Sequence, residues 1–413
     1  MAMLAQPGEL KELDVLPAIL GGAMTRESFL PFGAPVIGEE EIEEVVATLR
    51  SGWIGTGPKC WRFEGQIAEY VNAKHAITAS SCTAALHLAL IAAGIKAGDE
   101  VIVPAMTFAA TANVVEHVGA TPRFVDVDAH TLNIDPLALE AALTSRTRAV
   151  IPVHFGGLPC DMDAISAICR DNNLILIEDA AHAIGAEYKG QMIGSIGDFT
   201  CFSFYPNKNM TTGEGGAVTT SREEFVETLK VMRLHGLSAD AWRRFASKRL
   251  ILSEAISPGF KYNMTDLQAS LGIHQLRRLP EFLLRREEIA DYYDSVIPDS
   301  WGVTRQFRPD PSLGTRHALH LYVLMLDLKA FSVSRNEIVE ALLAENIGAA
   351  IHYRALHAQP FYERTYGYAL ADFPIAGDIG ESILTIPCSP GMSDDDAETV
   401  VRGVHKVLSY YRR

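Results

Sequence analysis

Between residues 75 and 220 the chain alternates short β-branched runs with helix-patterned stretches, and no other feature restricts its fold as strongly. The runs lie at 100–103, 123–127, 149–153, 174–177 and 201–204. Strands separated by helices are forced to run parallel, so this alternation predicts an α/β sheet with helices packed on its faces. At 413 residues the chain is too long for one compact core. We therefore expect an irregular arm over 1–35, a large domain over 36–285 and a smaller α+β domain over 286–413. Residues 39–50 form an amphipathic helix carrying Ile42, Val45, Val46 and Leu49. The Pro-, Gly- and Arg-rich stretch 298–319 reads as a connector, and 320–328 as a strand. Ser334 to Glu337 is a capping box, and Ser393 caps a last helix with Ala397, Val400, Val401, Val404 and Leu408 on one face.

Open sheets of this kind bind ligands beyond the carboxyl ends of their strands. The apolar run at 174–177 ends in Glu178-Asp179-Ala180-Ala181-His182, which puts Asp179 at such an end. Downstream, Phe202-Ser203-Phe204-Tyr205-Pro206-Asn207-Lys208-Asn209 leads into Thr212-Gly213-Glu214-Gly215-Gly216. An amine, an acid at a strand end and a serine near a glycine turn are the groups that pyridoxal 5′-phosphate (PLP) needs. The lysine forms a Schiff base, the acid keeps the pyridine nitrogen protonated, and hydroxyls with backbone donors hold the phosphate. A free lysine is protonated at neutral pH, and burial or capture as an imine removes that obstacle. An Asp in isolation is more often a helix cap or an ion-pair partner; Ala180-Ala181-His182 and Lys208 are what give Asp179 a chemical role.

Ser80, Ser81 and Thr83 precede an apolar, Ala-rich segment running to Gly94. That is a helix whose N-terminal amides and dipole favour an anion, although ordinary capping uses the same residues. Ser203 is a second hydroxyl for a phosphate. Phe108, just past the strand over 101–103, is placed to stack on a flat ring, or to enter the core.

These segments bring the chain to a family. It resembles the PLP-dependent nucleotide-sugar aminotransferases of DegT/StrS type from about Phe32 onward. The matching blocks include Ser51-Gly52-Trp53-Ile54, Thr56-Gly57-Pro58, Ser81 through Leu86, Pro104 through Asn113 and Pro152 through Gly157. Others are Glu178 through Gly185, Phe202 through Gly216, Arg233-Leu234-His235-Gly236 and Gly259 through Asp266. Within the family it is most similar to the enzymes that make UDP-4-amino-4-deoxy-L-arabinose. The resemblance implies the fold type I architecture, a mainly parallel large domain with a smaller α+β domain, and a homodimer whose two subunits build each site. It makes Lys208, Asp179 and His182 the catalytic set, with His182 on the ring 3-hydroxyl and Phe108 stacked. Cys82, Thr83 and Ser203 fall around the phosphate. Many members send an Asn from the Gly259 block to the partner's phosphate; here Lys261 or Asn263 fills that position. Trp53, Thr56, Arg354 and His357 are implied on the substrate side, and Arg243, from its place in a basic run, is a further candidate there. The expected substrates are a keto-sugar nucleotide and glutamate.

Composition excludes other classes. The formal charge of −15, from 36 basic and 51 acidic residues, opposes nucleic acid and anionic membrane. The dense basic run of Arg243, Arg244, Lys248 and Arg249 suits a diphosphate, or a solvated face. The six cysteines (Cys60, Cys82, Cys160, Cys169, Cys201 and Cys388) have no C-x-x-C spacing, which argues against zinc and for a reducing cytoplasm. No apolar stretch approaches the roughly 20 residues of a membrane span, and residues 1–24 lack the pattern of a secretion signal. Three alternatives stand beside amine transfer: another PLP reaction such as dehydration, a PLP-binding regulator without turnover, and a cofactor-free α/β module. Relatives that dehydrate sugars replace the lysine with histidine; this chain keeps Lys208.

Overall fold

A computed structural model describes residues 16–238 and 252–413. The first strands are β1 (His75–Ala79), β2 (Glu100–Pro104), β3 (Thr121–Val125), β4 (Thr147–Val150) and β5 (Ile175–Asp179). A two-stranded ribbon follows, β6 (Glu187–Tyr188) with β7 (Gln191–Met192), then β8 (Phe199–Ser203) and β9 (Gly216–Thr220). Seven of these form one sheet in the order β1-β9-β8-β5-β4-β2-β3. From β8 to β3 every neighbouring pair is parallel, while β9 runs antiparallel to β1 and β8. The sheet is therefore mainly parallel, with β5 at its centre.

Helices cover both faces. They are α1 (Glu39–Ser51), α2 (Pro58–Tyr70), α3 (Cys82–Ala92), α4 (Ala109–His117), α5 (Pro136–Ala141), α6 (Met162–Asp171) and α7 (Glu223–Arg233). α3 is buried from Ala84 to Leu90, because its small residues let it lie close against the sheet. β2, β8 and β9 are buried at every position, as expected for strands covered on both sides. Sequence reading missed β1 and β9. Their segments, His75-Ala76-Ile77-Thr78-Ala79 and Gly216-Ala217-Val218-Thr219-Thr220, are mostly small residues without a long β-branched run.

A second sheet of β10 (Val303–Arg305), β11 (Tyr322–Leu326) and β12 (Ile383–Ile386) is antiparallel. β10 lies in the stretch expected as a connector, which is thus partly sheet: it pairs with β11 through Val303 and Leu326. The capping boxes at Ser334 and Ser393 open helices Arg335–Ala344 and Asp394–Tyr411. Helix Asp266–Val296 runs unbroken past both sheets. Its first half buries Ile273, Leu276 and Leu279 with the large-domain core, and its second half buries Ile289 and Tyr293 with the small-domain core. Such side chains contribute roughly 1.5–3 kcal/mol each on burial. The N-terminal segment docks on the small domain. Glu345, fully buried, accepts from the Ala18 and Thr25 amides and pairs with Lys406 at 3.0 Å.

Candidate active site

Lys208 follows β8, in a turn closed by its own N–H donating to the Tyr205 carbonyl. Its Nζ lies 3.4 Å from His320 Nε2, just ahead of β11. Burial pulls the Lys208 ammonium down to about 8, with nearby Cys82 and Asp179 working the other way. His320 is buried, its ring lies 4.5 Å from that of His182, and its Nδ1 has no partner. Burial first, then the positive field of Lys208, keeps both imidazoles well below their usual range.

Asp179 ends β5 and is buried. Oδ2 accepts from the Thr111 hydroxyl at 2.8 Å and Oδ1 from the Ala181 N–H at 3.2 Å. Burial raises its carboxyl, and those two donors with Lys208 and His154 pull it back. Its neighbour Glu178 faces the other way into a closed network. Glu178 accepts from His154 Nε2 at 2.9 Å, Thr200 Oγ1 at 2.7 Å and the Gly197 N–H at 2.8 Å. This fixes the strand end on which Asp179 sits. His182 Nδ1 accepts from the Gly156 N–H at 3.3 Å. In the neutral ring Nε2 then carries the proton, 3.2 Å from the Tyr353 hydroxyl.

Lys208, Asp179 and His182 border one cavity of about 390 Å³. Ser81, Cys82 and Thr83 bring the start of α3 to its wall, and Ser203, Phe108, His352 and Tyr353 complete it. Gly216 makes that arrangement possible. A Cβ there would fall 2.5 Å from the Ser81 carbonyl carbon and 2.6 Å from the Cys82 nitrogen. The Cys82 thiol turns inward, donating to the Cys201 carbonyl, and burial raises it well above its usual range. Phe108 keeps 57% of its surface exposed, 5.6 Å from the Tyr353 ring, so it is an open face and not core.

The other expected residues lie elsewhere. Asn263 donates to Thr56 Oγ1 at 2.6 Å, and Thr56 donates to the Met264 carbonyl. Both line a separate cavity of about 420 Å³ beside α2 and α7. Trp53 donates from Nε1 to the Thr56 carbonyl. Lys261 is exposed and bridges to Leu234 through its backbone. Arg354 is exposed, one residue past Tyr353. His357, expected on the substrate side, does not border the cavity of Lys208. It is fully buried, with Nε2 3.1 Å from the Leu370 carbonyl and its ring against Phe373, because the short helix Leu356–Ala358 turns it inward. Arg243, with Arg244, Lys248 and Arg249, lies outside the described residues.

Sequence reasoning passed over Thr111 and Tyr353. Thr111 had a signal: Thr107 and Thr111 stand four apart across the start of α4, on one face. Tyr353 had none, since only folding brings it from the small domain.

The model of the DegT/DnrJ/EryC1/StrS aminotransferase family matches residues 35–405. The chain belongs to this family. It is 51% identical to the spore coat polysaccharide biosynthesis protein SpsC of Bacillus subtilis, over 93% of this chain and 98% of that protein. Among solved structures it is similar to Spr1654 of Streptococcus pneumoniae in its PMP form. That match has a TM-score of 0.85 and 36% identity, over 92% of this chain and 99% of the other. PseC of Helicobacter pylori, an aminotransferase of pseudoaminic acid biosynthesis, superposes with a TM-score of 0.84 at 28% identity, over 93% and 99%. As a member of this family the chain is a PLP-dependent sugar aminotransferase of fold type I. Its own residues fit that cofactor. The cavity joins an amine with a lowered proton affinity, a buried carboxylate, an imidazole N–H, a helix N-terminus and an exposed aromatic face. No helix among the described residues is long and apolar enough to cross a membrane.

Proposed function

We propose that the chain moves an amino group from glutamate to a UDP-linked 4-keto sugar in two half-reactions that use one site in turn. The convergence of Lys208, Asp179 and His182 on one cavity of about 390 Å³ carries this reading. The resemblance to UDP-4-amino-4-deoxy-L-arabinose enzymes supports the choice of sugar position and nucleotide. The 51% identity to a spore coat polysaccharide protein supports a product destined for surface polysaccharide. We place the reaction in the cytoplasm, in keeping with cysteines that are all free.

Bound PLP supplies an electron sink for charge left on the substrate carbon. The rest falls to side chains. Lys208, with its amine brought to about 8, holds a usable free-base fraction near neutral pH and carries a proton to and from that carbon. Asp179 would hold a proton on the pyridine nitrogen, and the His182 Nε2–H would be the donor available to the ring oxygen. Thr83, Ser203 and the start of α3 take the phosphate, with Cys82 as backbone rather than thiol. The exposed Phe108 would offer a face on which the ring could stack. The exposed Arg354, with Trp53, Thr56 and Arg243, meets the nucleotide sugar. The chain acts as a homodimer in which Lys261 or Asn263 completes the neighbouring copy's phosphate site.

The test is a panel of keto-sugar nucleotides incubated with L-glutamate and the purified enzyme, with products weighed by mass spectrometry. Amination of a UDP-4-keto sugar ahead of 3-keto and TDP-linked sugars is the expected outcome. Preference for a 3-keto or TDP-linked sugar overturns the substrate assignment. Product forming without glutamate as donor overturns the donor.

A further inference from the structure

Thr107 and Thr111 lie directly behind the carboxylate of Asp179. Thr107 ends the turn after β2, and Thr111 sits in the first turn of α4. Both are buried, at 1% and 0% exposure. Thr107 Oγ1 and Thr111 Oγ1 are 2.8 Å apart, and Thr111 Oγ1 donates to Asp179 Oδ2 at 2.8 Å. An ionised carboxylate only accepts, so the Thr111 proton points at Asp179. Thr111 has then spent its one donor, and the Thr107 proton must point at Thr111. The hydroxyls form a one-way chain, Thr107 to Thr111 to Asp179. Each dipole is oriented by the next, and such chains strengthen one another in a dry interior.

We infer that Thr107 and Thr111 are a hydroxyl relay that holds Asp179 ionised, and that Thr111 is a positioning residue for amine transfer. The inference rests on the reading that Asp179 faces the pyridine nitrogen. A fully buried carboxylate is driven toward its protonated form. Protonated, Asp179 could not serve as the anionic partner of a ring N–H. The side-chain neighbours that set its charge are Lys208, His154, Tyr353 and the thiols of Cys82, Cys160 and Cys201. Burial suppresses the thiolate and phenolate forms of the last four, so they carry no charge to stabilise Asp179. Lys208 is the group whose proton moves during turnover, so its help comes and goes. The Thr111 hydroxyl and the Ala181 N–H are permanent, and they act on different oxygens. Of the two, only the hydroxyl can be removed by a side-chain change.

Thr111→Val keeps the shape and deletes the donor, Thr111→Ser keeps the donor, and Thr107→Val acts one step back. The first readout needs no turnover. The Asp179 carboxylate is titrated by infrared difference spectroscopy of the cofactor-free protein, with Asp179→Asn as the blank. The second is the rate of the glutamate half-reaction of the PLP-loaded enzyme. Thr111→Val should move the Asp179 midpoint upward and slow the half-reaction about tenfold or more, the scale of a hydrogen bond to a charged group. Thr111→Ser should restore both, and Thr107→Val should shift both in the same direction by less. If Thr111→Val does not fold, Thr107→Val against wild type decides by the same two measures. An unmoved Asp179 midpoint with a wild-type rate in Thr111→Val, while Asp179→Asn is slow, overturns the relay alone. A wild-type rate in Asp179→Asn removes the assignment beneath it.

Discussion

Two cavities of nearly equal size, about 390 and 420 Å³, lie in this chain and differ in what borders them. The first collects the lysine, the buried acid and the histidines, each within hydrogen-bond reach of a neighbouring residue. The second holds Thr56 and Asn263 beside Glu64, Lys230 and Arg233. There Asn263 donates to Thr56, but its Oδ1 is buried without a partner, while Arg233 is already engaged by Glu64 and the Thr78 carbonyl. Volume does not separate a reaction centre from its neighbour. What separates them is whether groups with displaced proton affinities converge. Residues that sequence motifs put in one site thus fall into two places in a single chain, the arrangement that a site shared between subunits would need.

The comparison breaks most sharply at Lys208. Lys208→Ala should abolish turnover and the visible absorbance of bound cofactor while circular dichroism stays unchanged. Lys208→Arg should fail equally, because a guanidinium stays protonated. Substantial amine transfer by Lys208→Ala would place the reaction centre elsewhere. Next comes Asp179→Asn, which should still bind PLP but react at least ~100-fold more slowly, the cost of a missing preorganised charge. A rate near wild type would hand the ring nitrogen to another acid.

The second cavity is tested by pairing. Lys208→Ala co-expressed with Asn263→Asp should recover activity absent from either alone. On the proposed shared site, a heterodimer would carry one site with both Lys208 and an intact Asn263 from the other copy. Random pairing makes about half the dimers mixed, each with one working site of two, so about a quarter of wild-type activity is expected. No recovery in verified heterodimers of two dead variants would make the cavities independent.

The smallest effect is on stability. In the folded chain Lys208 falls from 10.5 to about 8, so the unfolded chain binds more protons between those values. Burying the ammonium therefore costs stability below about pH 8, and the cost fades as pH rises toward 10.5. Cofactor-free Lys208→Met should resist denaturant better than cofactor-free wild type at pH 7 by about 3 kcal/mol, at roughly 1.4 kcal/mol per pKa unit. The gap should close by about pH 10.5. A gap that stays constant with pH would mean that packing, not charge, sets it.

The parallel sheet was legible because covered strands need continuous apolar runs, and β2 and β5 have them. Asp179 was legible as a candidate because it sits at the end of such a run, where the direction of the strand fixes where the side chain emerges, and Lys208 because a serine precedes it and a glycine turn follows it. β1 and β9 were not: their short segments of mostly small residues carry little strand pattern, and their pairing across 137 to 145 positions, His75 with Thr220 at one end and Ala79 with Gly216 at the other, comes from the sheet already formed. The resemblance put His357 on the substrate side. In the fold its ring packs on Phe373 and its Nε2 meets the Leu370 carbonyl, away from the cavity of Lys208. The chemistry of single residues and the periods of strand and helix act over a few positions, so the sequence by itself determined the fold class and the cofactor and singled out Lys208 and Asp179, which the fold brings to one cavity. Burial and hydrogen-bond partners are set by segments far apart in the chain. Only the tertiary structure could bring Thr111 to Asp179 across 68 positions and His320 to Lys208 across 112, and so decide how those charges are held.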